Sequence, residues 1–204
     1  MKKSALVVIP LALFCILIGF LFRGLFSDPR TLDSQAKDNP VPHFELPDLM
    51  TPATLYTPEV FNGEVTIMNV WGVWCVTCAV ELPFLTHLKE SEQVRFVGLY
   101  FDQDLDPDFG TKTLARVQQE VTTMLGRFGN PYEFNIFDVY RDTSLDLGVT
   151  GAPEHFLIDA NGVIRMHYVG DINERVWVNK VKPVYDVLVQ ERNAMLVDSA
   201  GGAQ

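Results

Sequence analysis

Val65-Thr66-Ile67-Met68-Asn69-Val70-Trp71-Gly72-Val73-Trp74-Cys75-Val76-Thr77-Cys78 is the stretch on which the fold turns. Its first seven residues are β-branched, apolar or aromatic, apart from Asn69, and read as a strand. After the second cysteine, Val80, Phe84, Leu85 and Leu88 fall at helical spacing, so the chain passes from strand through a short loop into helix with both cysteines at the junction. Cys75 is thereby expected at the helix N-terminus, where unpaired N–H groups and the positive end of the dipole stabilise a thiolate. That makes it the attacking sulfur. Cys78, one turn inside, is shielded and suited to resolve a mixed disulfide. Apolar Trp71 and Trp74 are expected beside the pair. Half of an intermolecular metal site and an inert structural disulfide are the competing readings of the two cysteines. A covalent haem site needs histidine straight after the pair, and residue 79 is alanine.

Outward from this junction, Val94 to Phe101 is a nearly continuous apolar strand of the kind covered on both faces, which implies the centre of a parallel sheet. Thr111 to Phe128 places Leu114, Val117, Val121, Leu125 and Phe128 on one helical face, and Gly129-Asn130-Pro131 ends it. Phe134 to Phe137 is a short strand. His155 to Asp159, Ala160-Asn161-Gly162 and Val163 to Val169 read as a hairpin with an Asn-Gly turn. Asp171 with Glu174 resembles a capping box opening a last helix whose Ile172, Val181, Val184 and Leu188 face inward. The expected order is βαβαβ followed by ββα.

Upstream, Ser4 to Phe22 is nineteen residues without a charge, flanked by Lys2-Lys3 and Arg23. As a helix it is roughly 29 Å long, enough for the hydrocarbon core of a bilayer. It exceeds the apolar run of a cleavable signal peptide, and no Ala-x-Ala site follows, so an uncleaved signal anchor is preferred. Cys15 within it reads as a small apolar filler, with palmitoylation or pairing as alternatives. The expected organisation is a cytoplasmic tail at 1–3, a transmembrane anchor at 4–23, a linker at 24–40, one folded domain at 41–191 and a flexible tail at 192–204.

The whole chain has 204 residues, 48% of them apolar and 21% charged, and a formal charge of −10, which excludes a disordered chain and argues against nucleic-acid binding. All 26 acids follow the first apolar segment, so the remainder is more acidic still. No phosphate loop, Gly-x-Ser-x-Gly segment or dinucleotide fingerprint is present.

The Trp-Cys-x-x-Cys segment, Pro83 and Gly148-Val149-Thr150-Gly151-Ala152-Pro153 before an apolar strand together resemble the thioredoxin fold. More closely, the chain resembles the membrane-anchored thiol:disulfide interchange proteins of cytochrome c maturation, the CcmG/DsbE family. The resemblance rests on the anchor, Val41-Pro42-x-Phe44, Glu81, Gly129-Asn130-Pro131-Tyr132, Leu145-Asp146-Leu147-Gly148-Val149, Gly151-Ala152-Pro153-Glu154, Phe156-Leu157-Ile158-Asp159 and Gly170-Asp171-Ile172-Asn173. It implies an α/β thioredoxin-like domain with a central mixed sheet, held on the inner membrane and facing the periplasm. The implied activity is reduction of the haem-binding Cys-x-x-Cys-His of apocytochrome c. Electrons would come from a transmembrane thiol reductant of the DsbD/CcdA kind, alongside other cytochrome c maturation components. No cofactor or metal beyond the redox-active Cys75–Cys78 pair is implied. A general thioredoxin-like oxidoreductase and a non-catalytic apocytochrome-binding holdase are the alternatives.

On the same resemblance Pro153 matches the family's cis-proline, Trp74, Ala152, Pro153 and Glu154 would meet substrate, and Glu81 and Glu154 match acidic positions near the active site. Classical thioredoxins place a buried aspartate where Asn69 stands. Glu81, three residues beyond Cys78 and on the same helical face, is then expected to exchange a proton with it, provided it lies beneath the pair with no buried partner. Its replacement by glutamine should cost little stability. The competing reading is a solvated acid favoured by the helix dipole, and for Glu154 a mere loop acid. Val76-Thr77, Ala79 and His155 depart from the family pattern, and Asp102 to Thr113 is longer than the typical loop. His43, His87, His155 and His167 are expected to be satisfied or exposed.

Overall fold

The structure, a computed structural model, describes residues 5–25, 36–101 and 110–201. It divides into two units, Met1–Thr31 and Leu32–Gln204.

The first unit is helix α1 (Ala5–Leu25), with Pro10 inside it. Its described side chains, from Val8 to Arg23, are all exposed and extend over about 24 Å. Among the described residues no helix is long and apolar enough to cross a membrane. The expected anchor is thus present as a helix rather than as a demonstrated span.

The second unit has a thioredoxin-like α/β fold. A short antiparallel pair, β1 (Leu46–Pro47) and β2 (Leu55–Tyr56), precedes β3 (Thr66–Trp71), α2 (Val76–Ser91), β4 (Arg95–Tyr100), α3 (Leu114–Phe128) and β5 (Tyr132–Phe137). After α4 (Asp142–Asp146) come β6 (Glu154–Ile158) and β7 (Ile164–Val169). The last helical run is α5 (Glu174–Val176), a π-helical turn at Trp177–Val181 and α6 (Lys182–Gly201). The main sheet has the order β5-β4-β3-β6-β7, with β3, β4 and β5 parallel and β6 and β7 antiparallel to their neighbours.

Strand alternation and chain handedness together place the site. From β3 through α2 to β4, and from β4 through α3 to β5, the chain steps in one direction. Right-handed crossovers therefore put α2 and α3 on the same sheet face. Ile67 and Trp71 of β3 join Leu82 and Leu85 of α2, Val117 and Val121 of α3 and Trp177 in the core on that face. Met68 and Val70 point the other way, into a second core with Phe44, Phe61, Leu99, Phe156 and Leu147. Asn69, between Ile67 and Trp71, consequently points toward α2.

Several boundaries differ from the sequence expectation. On α2 the buried set is Cys78, Glu81, Leu82, Leu85 and Leu88. Val80 lies off that stripe and is 72% exposed. The last helical run is capped by Asn173, whose side chain accepts from the Val176 N–H, while Asp171 accepts from Asn173. Asp171 is therefore not the cap, because the chain becomes helical only at Glu174. The hairpin is present, but its turn is organised by Asp159, whose Oδ1 accepts from the N–H groups of Asn161 and Val163, with Gly162 at φ 75°. The domain begins before Val41: the Asp38 N–H donates to Ile164 O, and the Ile164 N–H to Asn39 O. Helix α6 continues to Gly201, held at its middle by Arg192 on Gly63 O and Glu64. Tail residues 1–3 and 202–204, and most of the long loop expected at Asp102 to Thr113, lie outside the described residues.

Candidate active site

Strand β3 delivers the chain to Gly72, and α2 opens at Val76 with Cys75 as its cap. Cys75 and Cys78 are disulfide-bonded, with Cα atoms 5.3 Å apart. The Cys75 Sγ accepts the Cys78 N–H at 3.1 Å. A sulfur in this place uses one of the N–H groups that every helix leaves unpaired in its first turn, so negative charge on Cys75 meets a donor already in position. Cys78 has no exposed surface. Cys75 borders a groove of about 500 Å³ between α2 and α3, lined also by Val76, Ala79, Met124, Arg127 and Phe128. Trp74 is half-exposed beside the pair, its Nε1 donating to Phe101 O. Trp71 is instead fully buried, stacked on Tyr132 and donating to Asn135 Oδ1.

The loop before β6 contains the cis peptide Ala152–Pro153, and Pro153 O accepts the Gly170 N–H. Glu154 is no loop acid: it is fully buried on β6. Its Oε1 accepts from Thr150 N, Thr150 Oγ1 and Gly151 N at 2.8, 2.6 and 2.8 Å, and its Oε2 lies 2.7 Å from His167 Nε2. Burial pushes this carboxyl up, but the hydrogen bonds from His167 and Thr150 outweigh it and hold the group below its ordinary 4.5. The carboxylate ties the proline loop to the sheet.

Glu81 is buried on the sheet-facing side of α2, which removes the reading as a solvated acid. It also has partners, contrary to the condition set for it from sequence. Oε1 accepts from Asn69 Nδ2 at 3.1 Å and Oε2 from the Ile172 N–H at 3.0 Å, with His155 Nε2 at 3.4 Å. Asn69 Nδ2 is 2.7 Å from His155 Nε2, and Asn69 Oδ1 accepts from Tyr132 Oη at 2.6 Å. Tyr132 is raised well above its ordinary value by burial and, second, by the charge of Glu81, so its hydroxyl stays a donor.

Asn69, Tyr132, His155 and His167 were not assigned to the site from sequence. A polar residue in the middle of an apolar strand, as at Asn69, was the available signal. His43 and His87 are exposed, as expected. Among the described residues no three His, Cys, Asp or Glu side chains converge as a metal site.

The profile of the Redoxin family matches residues 36–188. The thiol:disulfide interchange protein DsbE of Vibrio cholerae is 39% identical over 188 residues, covering 90% of this chain and 95% of that protein. The protein of the same name from Pseudomonas aeruginosa is 38% identical over 192 residues, covering 94% and 99%. The Escherichia coli K12 protein is 36% identical over 197 residues, covering 94% and 98%. Among solved structures, the thioredoxin domain of a thiol-disulfide oxidoreductase from Bacteroides vulgatus aligns with TM-score 0.56 at 16% identity, over 74% of this chain and 99% of that one. A thio-disulfide isomerase from Thermus thermophilus aligns with TM-score 0.52 at 20% identity, over 70% and 92%. Both likenesses concern the fold.

Proposed function

Since the chain belongs to the Redoxin family as a DsbE-type thiol:disulfide interchange protein, an oxidoreductase, we propose that it works as a reductant whose substrate is the Cys-x-x-Cys-His disulfide of apocytochrome c. The observation that carries the reading is the Cys75–Cys78 disulfide at the mouth of α2, with Cys75 accepting a helix N–H and bordering an open groove while Cys78 is sealed. In the reduced protein the Cys75 thiolate attacks one sulfur of the substrate disulfide. A mixed disulfide forms and the other substrate sulfur leaves as a thiolate. Cys78 then loses its proton and attacks Cys75 Sγ. The second substrate sulfur departs, and the protein is left with the disulfide seen here. Two electrons have passed to substrate, and a transmembrane dithiol of the DsbD/CcdA kind restores them. Substrate chain lies along the proline loop, between Trp74 and Ala152-Pro153, with Glu154 holding that loop in shape. The uncharged run Ser4 to Phe22 supports an inner-membrane anchor with the catalytic domain in the periplasm, and other cytochrome c maturation components as neighbours.

The test is complementation of cytochrome c production in a strain lacking such a reductase, with trapping alongside. Cys78→Ser is expected to abolish rescue and accumulate a mixed disulfide through Cys75 with apocytochrome c, and Cys75→Ser to trap far less. Equal trapping by both overturns the roles assigned to the two cysteines. Rescue with both cysteines as serine means a holdase, and trapping of unrelated proteins alone means a general oxidoreductase. An alkaline phosphatase fusion after residue 40 should be active, and an inactive one overturns the topology.

A further inference from the structure

The groove beside Cys75 lies off the path given to substrate above, since Trp74, Ala152 and Pro153 do not line it. Val76 and Ala79 of α2 form one wall, and α3 forms the other from Arg116 through Met124 to Arg127 and Phe128. From Arg116 to Arg127 that wall rises about 16 Å, the length of roughly five residues of extended chain. Val76 is 78% exposed, and Val80, one turn further along α2, is 72% exposed. Two β-branched residues on a helix surface lower its propensity and add nothing to the core of the domain. A chain docked on this face would take both out of water. Methionine, phenylalanine and arginine are also the residue types enriched where proteins meet.

The chain has a formal charge of −10, yet the side chains of this groove carry the opposite sign. Glu120 is its acid, and it is matched twice: Oε1 accepts from Arg116 Nε at 2.8 Å and Oε2 from Lys112 Nζ at 3.0 Å. Arg127 bonds no carboxylate among the described residues, and its guanidinium lies over the Phe128 ring, 5.0 Å from the centroid. A guanidinium stacked on a ring keeps its planar fork of N–H donors, which fits an incoming carboxylate with two parallel hydrogen bonds.

We propose that the α2–α3 groove holds the substrate polypeptide while it is in mixed disulfide with Cys75, and that it selects chains in which the attacked cysteine adjoins apolar side chains and a carboxylate. The inference rests on the reading of Cys75 as the thiol that attacks a polypeptide disulfide. Continuity with Cys75 makes substrate the occupant, because the mixed disulfide fixes the substrate chain at the edge of the groove. On one side of the attacked cysteine the chain follows the proline loop, and on the other it enters the groove. Its apolar side chains lie against Val76, Ala79, Met124 and Phe128, and its acidic one on Arg127. Met124 is unbranched and adapts to different apolar groups, so the contact with Arg127 is the one that discriminates.

The experiment uses the full-length chain, reduced, in a non-ionic detergent, with two synthetic peptides. Both contain an oxidised Cys-Ala-Ala-Cys-His core between flanks of about five residues, the length the groove accepts. The flanks carry leucine and glutamate in one peptide and leucine and lysine in the other. Rates of oxidation of the Cys75–Cys78 pair are read by acid quench, alkylation and mass spectrometry. The wild type should prefer the glutamate peptide by about fivefold at low salt, and less as salt is raised. The acidic chain as a whole favours the lysine peptide, so a preference for glutamate reports the groove. Arg127→Glu should reverse the preference, and serine in place of the leucines should slow the wild type severalfold. A wild-type ratio near one, a preference for lysine, a ratio that Arg127→Glu leaves unmoved, or serine flanks as fast as leucine ones overturns the inference and leaves the exchange reading intact. A ratio near one together with wild-type dimers that Arg127→Glu dissolves gives the groove to a second copy of the chain instead. Failure to reduce either peptide overturns the exchange reading itself. Should Arg127→Glu not fold, the wild-type ratio and its salt dependence decide.

Discussion

Glu154 and His155 are consecutive residues of β6, face opposite sides of the sheet, and each belongs to a buried histidine–carboxylate pair. On one side Glu154 meets His167 at 2.7 Å and also accepts three hydrogen bonds from Thr150 and Gly151. On the other side Glu81 stands 3.4 Å from His155, and each of its oxygens accepts one N–H. In the first pair the carboxylate is saturated and ties a loop to the sheet, although His167 Nδ1 has no partner. In the second the carboxylate accepts two hydrogen bonds rather than four, and its histidine is turned to Asn69 instead. The difference shows that residue type and burial do not assign a role to a buried carboxylate. The number and strength of its hydrogen bonds do, because each donor stabilises the ionised form and makes the group a poorer proton carrier.

The comparison breaks first at Glu154. Glu154→Ala removes four hydrogen bonds and leaves Thr150, Gly151 and His167 without their acceptor, so a loss of about 3 kcal/mol is expected in chemical unfolding. Substrate exchange should fall with it as the Pro153 loop loosens. The same group predicts an acid limb. Its folded-state value is depressed, so its stabilisation is fully present above the ordinary 4.5 and is lost as pH falls through the lower folded value. Unfolding midpoints of wild type measured downward from pH 5 should drop, and those of Glu154→Gln should drop less.

Glu81→Gln comes next. From sequence it was expected to cost little stability, but both oxygens accept an N–H, and an amide presents its NH₂ to one of those donors. A loss of about 1–3 kcal/mol is expected, together with slower disulfide exchange near neutral pH and a flattened pH profile. Tyr132→Phe, which deprives Asn69 Oδ1 of its donor, should cost about 1 kcal/mol and shift the His155 ¹⁵N signals by freeing the amide to turn.

The smallest effect is expected where the same kind of pairing is exposed. Lys182 bonds Glu92 and Asp186 at the surface at 2.8 and 3.1 Å. Lys182→Met should cost less than about 1 kcal/mol, because water screens the pair and solvates what is left. A thermal shift as large as that of Glu154→Ala would mean that burial is not what separates the three sites.

The strand, loop and helix around Cys75 and Cys78 were legible because periodicity is a local property. Seven strand residues followed by apolar positions three and four apart leave little choice, and the direction of the helix settles which sulfur meets its N-terminus. The ββα end was legible for the same reason. Local patterns failed where two residues compete for one task, as when Asn173 rather than Asp171 caps the last helical run, and where an apolar residue lies just off a stripe, as Val80 does. The sequence by itself thus determined the redox pair, the order of elements and the likeness to a thiol:disulfide interchange protein. Only the tertiary structure decided what Glu81, Glu154 and His155 touch. Their partners lie 12 and 91 residues away for Glu81 and 86 for His155, and Glu154 joins Thr150 and Gly151, 4 and 3 residues away, to His167, 13 away. Periodicity reports which side of an element is buried, but a hydrogen bond depends on which donor the fold brings opposite each acceptor, and that is set by register and packing across the whole sheet.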